Sequence, residues 1–424
     1  MSIDEGSIEK KANGFDLKVF GVVLDDAKSA EEIPPNRTAT LDEIESLCKF
    51  IGGFQYWSLL NEDCKKAVIS FLDYRTRCKL EKCSKDDFMC VSTSSIHVHK
   101  IEIKDSAQAH YINDLKRDSV LVRVQFTEEN KPGDSFQVVF SQLGDDTQIK
   151  WRLQDRGSTA RYASSFLYRR DPKFRSVLLK DCYYYEESVK FAEKWLKKCF
   201  CRVSRLVVEM SEIPDISSEI KLLPTCSRVR LSSSDEQVLW WWLRKLPEYV
   251  DDLGLVCPTD TFVSPEFMSI PQITNAKQFS FWCDAALTDE EFLSLKATEL
   301  GFDPARITDG ALNEFLKRWS RGDGPCNFKS IVLWSHKERN EQKVLEGLYS
   351  RSWESGFETE DGVKRFVSDF YQNCGLGTCY QVFSSVESYE SLTVYFSDER
   401  FGVYGTGKRR QELDGTMYTE YNIP

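Results

Sequence analysis

The sequence predicts a mixed α+β and α/β protein, in which a small helical module is followed by a β-rich segment and then by a solenoid of alternating strands and helices. Apolar residues recur at helical spacing between Trp57 and Val91. Apolar and polar residues then alternate, as they do in strands, through three runs between residues 119 and 154. After residue 204 a short strand pattern recurs, with helical signals between its copies.

The composition argues against several classes of protein. The 424 residues are 41% hydrophobic and 13% aromatic, which is ample for packed cores in two or three domains. The net charge of −11 disfavours a polyanion as the main partner, because phosphate binding requires clustered positive charge. The charged first residues and the lack of a long apolar run predict a soluble protein of the cytoplasm or nucleus, without a signal peptide or membrane span.

Cysteines are frequent but do not form a recognisable framework. The 14 cysteines are scattered from Cys48 to Cys379 without a CxxC pair. Several of them, such as Cys226, Cys257 and Cys283, have apolar neighbours. This pattern predicts reduced, buried thiols.

The helical module is predicted from residue 40 onwards, after a charged and loosely ordered tail. Thr40 and Glu43 form a capping-box pattern, and the helix that they open is expected to stop at Gly52-Gly53. Short helices are then predicted between Trp57 and Val91, with Ser84 as the cap of the third. In the first of these, the apolar residues that share a helical face are Cys64, Ala67, Val68, Phe71 and Leu72.

A β-rich segment follows the module. Its three strand-like runs are SVLVRVQF, FQVVFSQ and QIKWRLQ, and a helix is predicted at about 185–200. Near the C-terminus, LTVYFSDERFGVYG predicts a β-hairpin that turns at Asp398-Glu399-Arg400.

The strand pattern of alternating apolar residues recurs between these two regions. Its first apolar positions are Leu206, Val229, Leu253, Phe279, Leu300 and Ile331, so that successive copies are 23, 24, 26, 21 and 31 residues apart. Helix starts are predicted between copies at Ser234, Thr288 and Thr308. A strand and a helix every two dozen residues are typical of a leucine-rich-repeat-like solenoid. The alternative is an ordinary α/β domain, because the consensus asparagine and the tight period are missing.

Three patterns resemble functional sites, but each has a simpler explanation. His97 and His99 alternate on a strand without the further ligands of a zinc site. The run from Gly402 to Lys408 fits G-x-x-x-x-G-K, but Arg409 stands where a Ser or Thr would reach Mg²⁺. The basic and aromatic stretch 150–175 suits single-stranded nucleic acid, yet a solvated face beside core aromatics is more common. No catalytic residue, metal ligand or cofactor is therefore predicted.

Two groups of residues match a known family. In the helical module they are Trp57, Leu59-Leu60, Val68-Ile69, Leu72-Asp73, Arg77 with Leu80, and Cys83-Ser84-Lys85-Asp86. Downstream they are Leu287-Thr288-Asp289, Ile307-Thr308-Asp309, and the run from Leu312 to Trp319 followed by Gly322. Together they resemble an F-box of the large nematode family and its F-box-associated region, over residues from about 55 to 410. The family usually has Leu-Pro where this chain has Leu59-Leu60.

The resemblance implies a non-catalytic substrate receptor of an SCF-type cullin–RING ubiquitin ligase. In that family the F-box binds a Skp-type adaptor, and through it a cullin, while the rest of the chain presents a target for ubiquitination and proteasomal degradation. A docking helix must expose apolar side chains that a partner then buries. The residues expected to contact the adaptor are Trp57, Leu59, Leu60, Val68, Ile69, Leu72 and Leu80. The alternatives are a scaffold that uses the F-box only for assembly and, less favoured, a nucleic-acid-binding repeat protein.

The target is expected to bind the outward positions of the repeat strands. In a solenoid those positions line one side and are the freest to vary. The candidates are Arg205, Arg228, Arg230, Asp252, Gln278 and Glu299. The alternative is that the targets are held by loops or by the C-terminal hairpin.

The expected organisation divides the chain into six parts. They are a loosely ordered tail over 1–38, the N-terminal helix and F-box over 39–98, a β-rich connecting segment over 99–200, a leucine-rich-repeat-like F-box-associated domain over 201–390, a terminal β-hairpin over 391–410 and a polar tail over 411–424.

Overall fold

A computed structural model describes most of the chain after residue 55. The described ranges are 56–105, 118–126, 135–154, 175–199, 203–213, 222–257, 263–282, 287–302, 307–334, 338–359 and 363–423. The predicted tail over 1–38, the helix predicted from Thr40 and most of the basic stretch 150–175 lie outside them.

Helices and strands alternate through most of the described chain. The 3₁₀ turn Trp57–Leu59 comes before the first of the described helices, and two more, Trp353–Ser355 and Phe357–Thr359, follow β12. The helices are α1 (Glu62–Ser70), α2 (Tyr74–Leu80), α3 (Lys85–Thr93), α4 (Tyr184–Lys198), α5 (Glu236–Leu243), α6 (Pro265–Met268), α7 (Pro271–Thr274), α8 (Asp289–Ser294), α9 (Asp309–Ser320), α10 (Glu341–Val344) and α11 (Lys364–Cys374). The strands are β1 (Val98–Asp105), β2 (Ser119–Gln125), β3 (Ser135–Leu143), β4 (Asp146–Gln154), β5 (Arg175–Leu179), β6 (Val203–Glu209), β7 (Cys226–Ser232), β8 (Asp252–Val256), β9 (Gln278–Trp282), β10 (Glu299–Phe302), β11 (Ser330–Trp334), β12 (Ser350–Ser352), β13 (Thr378–Phe383), β14 (Ser391–Phe396), β15 (Arg400–Gln411) and β16 (Met417–Tyr421).

The strands, which all follow α1 to α3 in the chain, form one mixed sheet. Its order is β5-β4-β3-β2-β1-β6-β7-β8-β9-β10-β11-β15-β14-β13-β12, with β16 paired to β15. The run from β1 through β6 to β11 is parallel. The strands on either side of this parallel block are antiparallel. The fold is therefore mixed α/β, as expected.

The six recurring segments of the sequence are neighbouring parallel strands in chain order, β6 to β11. Their aligned apolar positions are also partners in the sheet. Each of the six first apolar residues pairs with the next, in the series Leu206, Val229, Leu253, Phe279, Leu300 and Ile331. The alternation of apolar and polar residues within each segment, and the helix between successive segments, thus predicted the register of the parallel strands.

These apolar positions build the main core on one face of the sheet. Leu206, Leu253 and Ile331 are fully buried, and they pack in one cluster with Trp242 of α5 and Leu312 of α9. Residues alternate between the two faces of a strand, so the intervening residues lie on the opposite face. The parallel block therefore buries one face under helices.

Helix starts in the block are joined by a repeated acid-to-cap contact. Thr288 caps α8 in a capping box with Glu291, as predicted. Asp289, the first residue of α8, accepts hydrogen bonds from the backbone N–H (2.9 Å) and the hydroxyl (2.6 Å) of Thr308, which caps α9. Asp309 in turn accepts from the backbone N–H of Asn340, the cap of α10, at 3.2 Å.

The same contact occurs earlier in the block. Glu236, the first residue of α5, accepts from the backbone N–H (3.2 Å) and hydroxyl (2.5 Å) of Ser264, which precedes α6. The cap of α5 itself is Asp235, not the predicted Ser234, because the Asp235 carboxylate accepts from the N–H of Gln237. These contacts explain the acidic residue that follows the threonine in both Leu-Thr-Asp and Ile-Thr-Asp.

A second core lies on the opposite face at the C-terminal end. Val403 and Val394 belong to the main core, whereas their strand neighbours Tyr404 and Tyr395 belong to a cluster with Trp353 and with Phe366 and Phe370 of α11. The predicted hairpin is present as β14 and β15. The segment expected to be a polar tail contains β16, which pairs with β15.

The prediction of reduced, buried cysteines requires two corrections. Ten of the described cysteines are free thiols, but only five of these are buried, and Cys64, Cys83 and Cys326 are exposed. Cys257 is disulfide-bonded. Cys257 directly follows β8, where its N–H donates to the carbonyl oxygen of Trp282 at the end of β9. The scattered cysteines of the sequence did not indicate this disulfide.

We expect the acid-to-cap contact to stabilise the block. Replacing Asp289 with Ala leaves two donors of Thr308 without their acceptor, and should lower the free energy of unfolding by about 1–2 kcal/mol. Replacing the exposed Glu290 with Ala is the matched control, because it removes the same charge from the same helix turn and should cost less than about 1 kcal/mol. Urea unfolding followed by tryptophan fluorescence measures both. Equal losses would contradict the role of this contact.

Candidate docking site on the N-terminal helices

Three capped helices build the N-terminal module. Each helix begins after a polar residue whose side chain accepts a hydrogen bond from a backbone N–H of the first turn. The caps are Asn61 (to the N–H of Cys64, 2.8 Å), Asp73 (to Thr76, 2.8 Å) and Ser84 (to Asp87, 3.0 Å). Caps of this kind let helices of seven to nine residues form with little propensity of their own.

A small core holds the helices together. Ile69, Leu80, Cys90 and Val91 form it, and Trp57 and Leu72 pack against its edge. Ile69 and Leu80 are only 0% and 2% exposed. Both were expected at the adaptor interface. They lie inside the module instead, and a partner cannot contact them while the module stays folded.

Arg77 is buried at the centre of the module. Its guanidinium donates to three carbonyl oxygens, those of Ser70 (3.3 Å), Leu72 (3.2 Å) and Ser95 (2.7 Å). These oxygens belong to the end of α1, the α1–α2 turn and the segment after α3. Burial lowers the pKa of Arg77, although an arginine remains protonated in proteins. One side chain thus connects all three helices.

Trp57 is fixed by a second polar contact. Its indole N–H donates to the Asp87 carboxylate at 2.7 Å, and Asp87 also accepts from the Ser84 hydroxyl at 2.8 Å. The Lys65 amine lies 5.8 Å from the centre of the Trp57 ring. The 3₁₀ turn that contains Leu59 is thereby held against α1 and α3.

The apolar stripe of α1 faces solvent. Lys65, with 7% exposure, and Ile69 point into the module. Val68 and Phe71 are 44% and 89% exposed. Cys64 and Ala67 of the same stripe are exposed too. A helix normally turns its apolar side to the core, whereas α1 turns this stripe to solvent.

Further exposed apolar side chains occur on two other elements of the module. Leu59 is 77% exposed on the 3₁₀ turn, and Phe88 and Met89 are exposed on α3. We call these residues together the apolar surface, which consists of Leu59, Val68, Phe71, Phe88 and Met89. Exposed apolar groups on several adjacent elements are typical of a protein–protein interface.

The structure sorts the residues expected at the adaptor interface into three groups. Leu59 and Val68 lie on the apolar surface. Trp57, Leu60 and Leu72 are half-buried, and Ile69 and Leu80 are buried. Phe71, Phe88 and Met89 were not in the expected set. The helical face shared by Val68 and Phe71 could have identified Phe71 from the sequence, whereas nothing in the pattern of α3 showed that Phe88 and Met89 would be exposed.

The module is anchored to the sheet by Tyr74, the first residue of α2. Its ring stacks on Phe126 at 4.4 Å between centroids, and lies 5.7 Å from Phe136 and 5.8 Å from Trp195 of α4. Phe136 and Trp195 belong to the main core. Because α2 also carries Arg77, one short helix packs into both the module and the sheet.

A small cavity lies at the junction of the module with α4. Arg77, Cys78, Glu81 and Lys198 are among the residues that line it. Burial raises the pKa of Cys78 to about 12 and raises that of Glu81, while it lowers the pKa of Lys198. Each of these pKa shifts favours the uncharged form of the group, as expected for side chains that are removed from water. The junction between the module and α4 is therefore largely closed to solvent.

The candidate target-binding residues lie on the face of the parallel block opposite the helices. We call this the open face. Arg228 and Arg230 are exposed, and Arg205, Asp252, Gln278 and Glu299 are half-exposed. Arg228 forms an ion pair with Asp252 at 3.6 Å. Gln278 donates to Glu299 at 2.8 Å, and the Lys329 amine lies 2.5 Å from the same carboxylate.

One of the patterns that resembled a functional site has a structural explanation. The G-x-x-x-x-G-K run lies inside strand β15. A Cβ atom on Gly405 would lie 2.6 Å from the Phe328 carbonyl oxygen, so close backbone packing requires this glycine. Within the described ranges, no three His, Cys, Asp or Glu side chains lie close enough together to form a metal site. None of the described helices is long and apolar enough to cross a membrane.

Comparison with known proteins agrees with these features. A Caenorhabditis elegans protein described as an uncharacterized F-box protein is 37% identical to this chain over 393 residues, which cover 92% of this chain and 97% of that protein. No protein-family model and no solved structure matches the chain. A likeness of this extent shows that the chain belongs to the F-box proteins.

We expect Arg77 to hold the module together. Replacing it with Met leaves three carbonyl oxygens without their donor, and should destabilise α1 to α3 by more than about 2 kcal/mol. Hydrogen–deuterium exchange should then become faster in residues 56–95, while the parallel block keeps its protection. Replacing the exposed Lys79 of the same helix with Met is the control and should change neither. Unchanged exchange in the Arg77→Met variant would show that the module does not depend on this side chain.

Proposed function

We propose that this chain is a substrate receptor of an SCF-type cullin–RING ubiquitin ligase. The observation that carries the proposal is the outward apolar stripe of α1, in a module whose inner side is already filled by Lys65, Ile69 and Leu72. The apolar surface would bind a Skp-type adaptor, and the adaptor would connect the chain to a cullin. Burying Val68 or Phe71 on binding would contribute roughly 1.5–3 kcal/mol each, so a few such residues offset the cost of association.

The sheet would present the target. We interpret β6 to β11 with their helices as a leucine-rich-repeat-like domain, on the basis of the paired apolar positions and the repeated acid-to-cap contact. The target would bind the open face. Tyr74 and its aromatic neighbours would hold this face at a fixed orientation to the adaptor, so that a bound target stays near the ubiquitin-conjugating enzyme.

No side chain of this chain needs to take part in chemistry under this proposal. Ubiquitin transfer would be accelerated because the target is held at a high effective concentration beside the conjugating enzyme. The catalytic groups would belong to other subunits of the complex, and this chain would supply two binding surfaces and the rigid connection between them.

The apolar surface is tested by a double substitution. Val68→Asp with Phe71→Asp should abolish co-purification with a co-expressed Skp-type adaptor, because binding would bury two unpaired carboxylates. The matched control is Leu376→Asp with Leu413→Asp, which changes two exposed apolar residues far along the chain and should leave adaptor binding intact. Both variants should keep the circular dichroism spectrum of the unmodified chain. Adaptor binding by a folded Val68→Asp, Phe71→Asp variant would refute the assignment of this surface.

A second experiment separates a degradation receptor from a scaffold. Proteins bound to the unmodified chain are compared with those bound to the Val68→Asp, Phe71→Asp variant, with and without a proteasome inhibitor. A degraded target should be scarce on the unmodified chain, and should accumulate when either the proteasome or the apolar surface is blocked. A partner whose abundance is the same in all four samples would favour the scaffold function instead.

A further inference from the structure

The open face has a cationic end on β7. Arg205 and Arg228 are direct register partners on β6 and β7, and Arg230 lies on the same face of β7. Neighbouring strands are about 4.8 Å apart, so like charges in register repel each other. The positive charge of Arg228 is balanced by its ion pair with Asp252. Arg230 is exposed, and among the described residues it has no ion-pair partner, so its guanidinium is available to bind an anion.

An aromatic pair lies at the other end of the same face. Trp282 ends β9 and Trp334 ends β11, and their ring centres are 6.3 Å apart. β10 stops at Phe302, which is in register with the residues just before these tryptophans, so the two rings approach each other past the end of β10. Trp334 is exposed, and the Arg400 guanidinium lies 5.4 Å from its ring. Exposed tryptophan next to arginine is the composition that dominates binding energy in protein interfaces.

Between the two ends, the register row of Arg230 contains small residues until it reaches the half-buried Val332 on β11. Arg230 is in register with Gly254, which is followed on successive strands by Ser280 and Gly301. These small residues leave the Arg230 and tryptophan side chains as the projecting groups. We call Arg230, Gly254, Ser280, Gly301, Trp282 and Trp334 the Arg–Trp strip.

The strip has the length of a short extended peptide. Four strand spacings separate β7 from β11, which is about 19 Å at 4.8 Å per spacing. An extended chain covers that distance in about six residues. A carboxylate at one end would suit the bidentate geometry of Arg230, and a large apolar side chain at the other would cover the tryptophan pair.

We propose that the Arg–Trp strip binds an extended segment of a partner protein that has an acidic residue at one end and a large apolar residue about five positions away. The proposal rests on the proposed function only in treating this partner as the target of the ligase. The charge of Arg230 and the exposed Trp334 select the partner's chemistry, and the small residues between them accommodate its backbone.

Synthetic peptides test this proposal. The full chain, co-expressed with a Skp-type adaptor, is incubated with fluorescent hexapeptide libraries, acetylated and amidated at their ends. One set carries Glu at one terminus and Trp, Phe or Leu at the other, in both orders. The comparison sets carry Gln in place of Glu, or Gly in place of the apolar residue. Anisotropy should show preferential binding of the Glu-plus-apolar set, with binding that weakens as salt is raised.

Two variants locate the binding to the strip. Arg230→Glu should weaken peptide binding by about tenfold or more, whereas Arg365→Glu, an equal charge change on the exposed side of α11, should not. Gly301→Val should also block binding. It should fold normally, because a Cβ at residue 301 meets only the Ser280 oxygen, at 3.6 Å, and valine favours strands.

Each outcome decides one claim. Equal binding of all peptide sets, or full binding by both Arg230→Glu and Gly301→Val, would overturn the strip. Single-stranded RNA is tested in the same way. Salt-sensitive RNA binding that depends on Arg230 and displaces no peptide would also overturn the proposal, because the site would then bind a nucleic acid. Adaptor co-purification is scored on the same samples. Its loss together with intact peptide selection would refute the ligase function and leave the strip standing.

Discussion

The architecture depends on the inability of a short parallel strand to bury its apolar face alone. Each strand from β6 to β11 offers two inward apolar residues, such as Leu206 and Val208 or Leu300 and Phe302. Only when neighbours stack in register under a row of helices do these residues form a continuous core. The acid-to-cap contacts join the start of one helix to the start of the next, in the same way that hydrogen bonds join neighbouring strands. On the opposite face Val207 is buried and Val332 packs against the second core, but Arg228 and Arg230 are exposed. The candidate target-binding residues lie on this face.

The second essential feature is the double role of α2. Its first residue, Tyr74, packs among aromatic rings of the sheet, and Arg77, one turn later, binds three carbonyl oxygens inside the module. The apolar surface and the open face are therefore parts of one packed body. A receptor that works by proximity needs such a connection, because a flexible one would lower the effective concentration of the target at the conjugating enzyme.

Sequence patterns predicted local structure and register well, and long-range arrangement poorly. The spacing of Leu206, Val229 and their successors predicted neighbouring parallel strands, because period and burial are coupled in a strand. The exposed side of α1 was harder to predict, because Val68 and Phe71 on one side and Ile69 and Leu72 on the other are equally apolar, and a buried Lys65 contradicts any simple pattern. The pairing of β11 with β15, which joins the C-terminal antiparallel strands to the parallel block, depends on contact between distant segments, which a single sequence does not encode in any local period.

The central claim is that the outward side of α1 is the surface that contacts the adaptor, and photo-crosslinking tests it most directly. A photoreactive phenylalanine analogue is placed at position 71 of the full chain, or at position 349, where Tyr349 is also exposed but directly precedes β12 at the far end of the sheet. After irradiation in cells that contain a Skp-type adaptor, we expect a covalent adduct with the adaptor from position 71 and none from position 349. An adaptor that co-purifies with both proteins, yet crosslinks from position 349 and not from position 71, would contradict it.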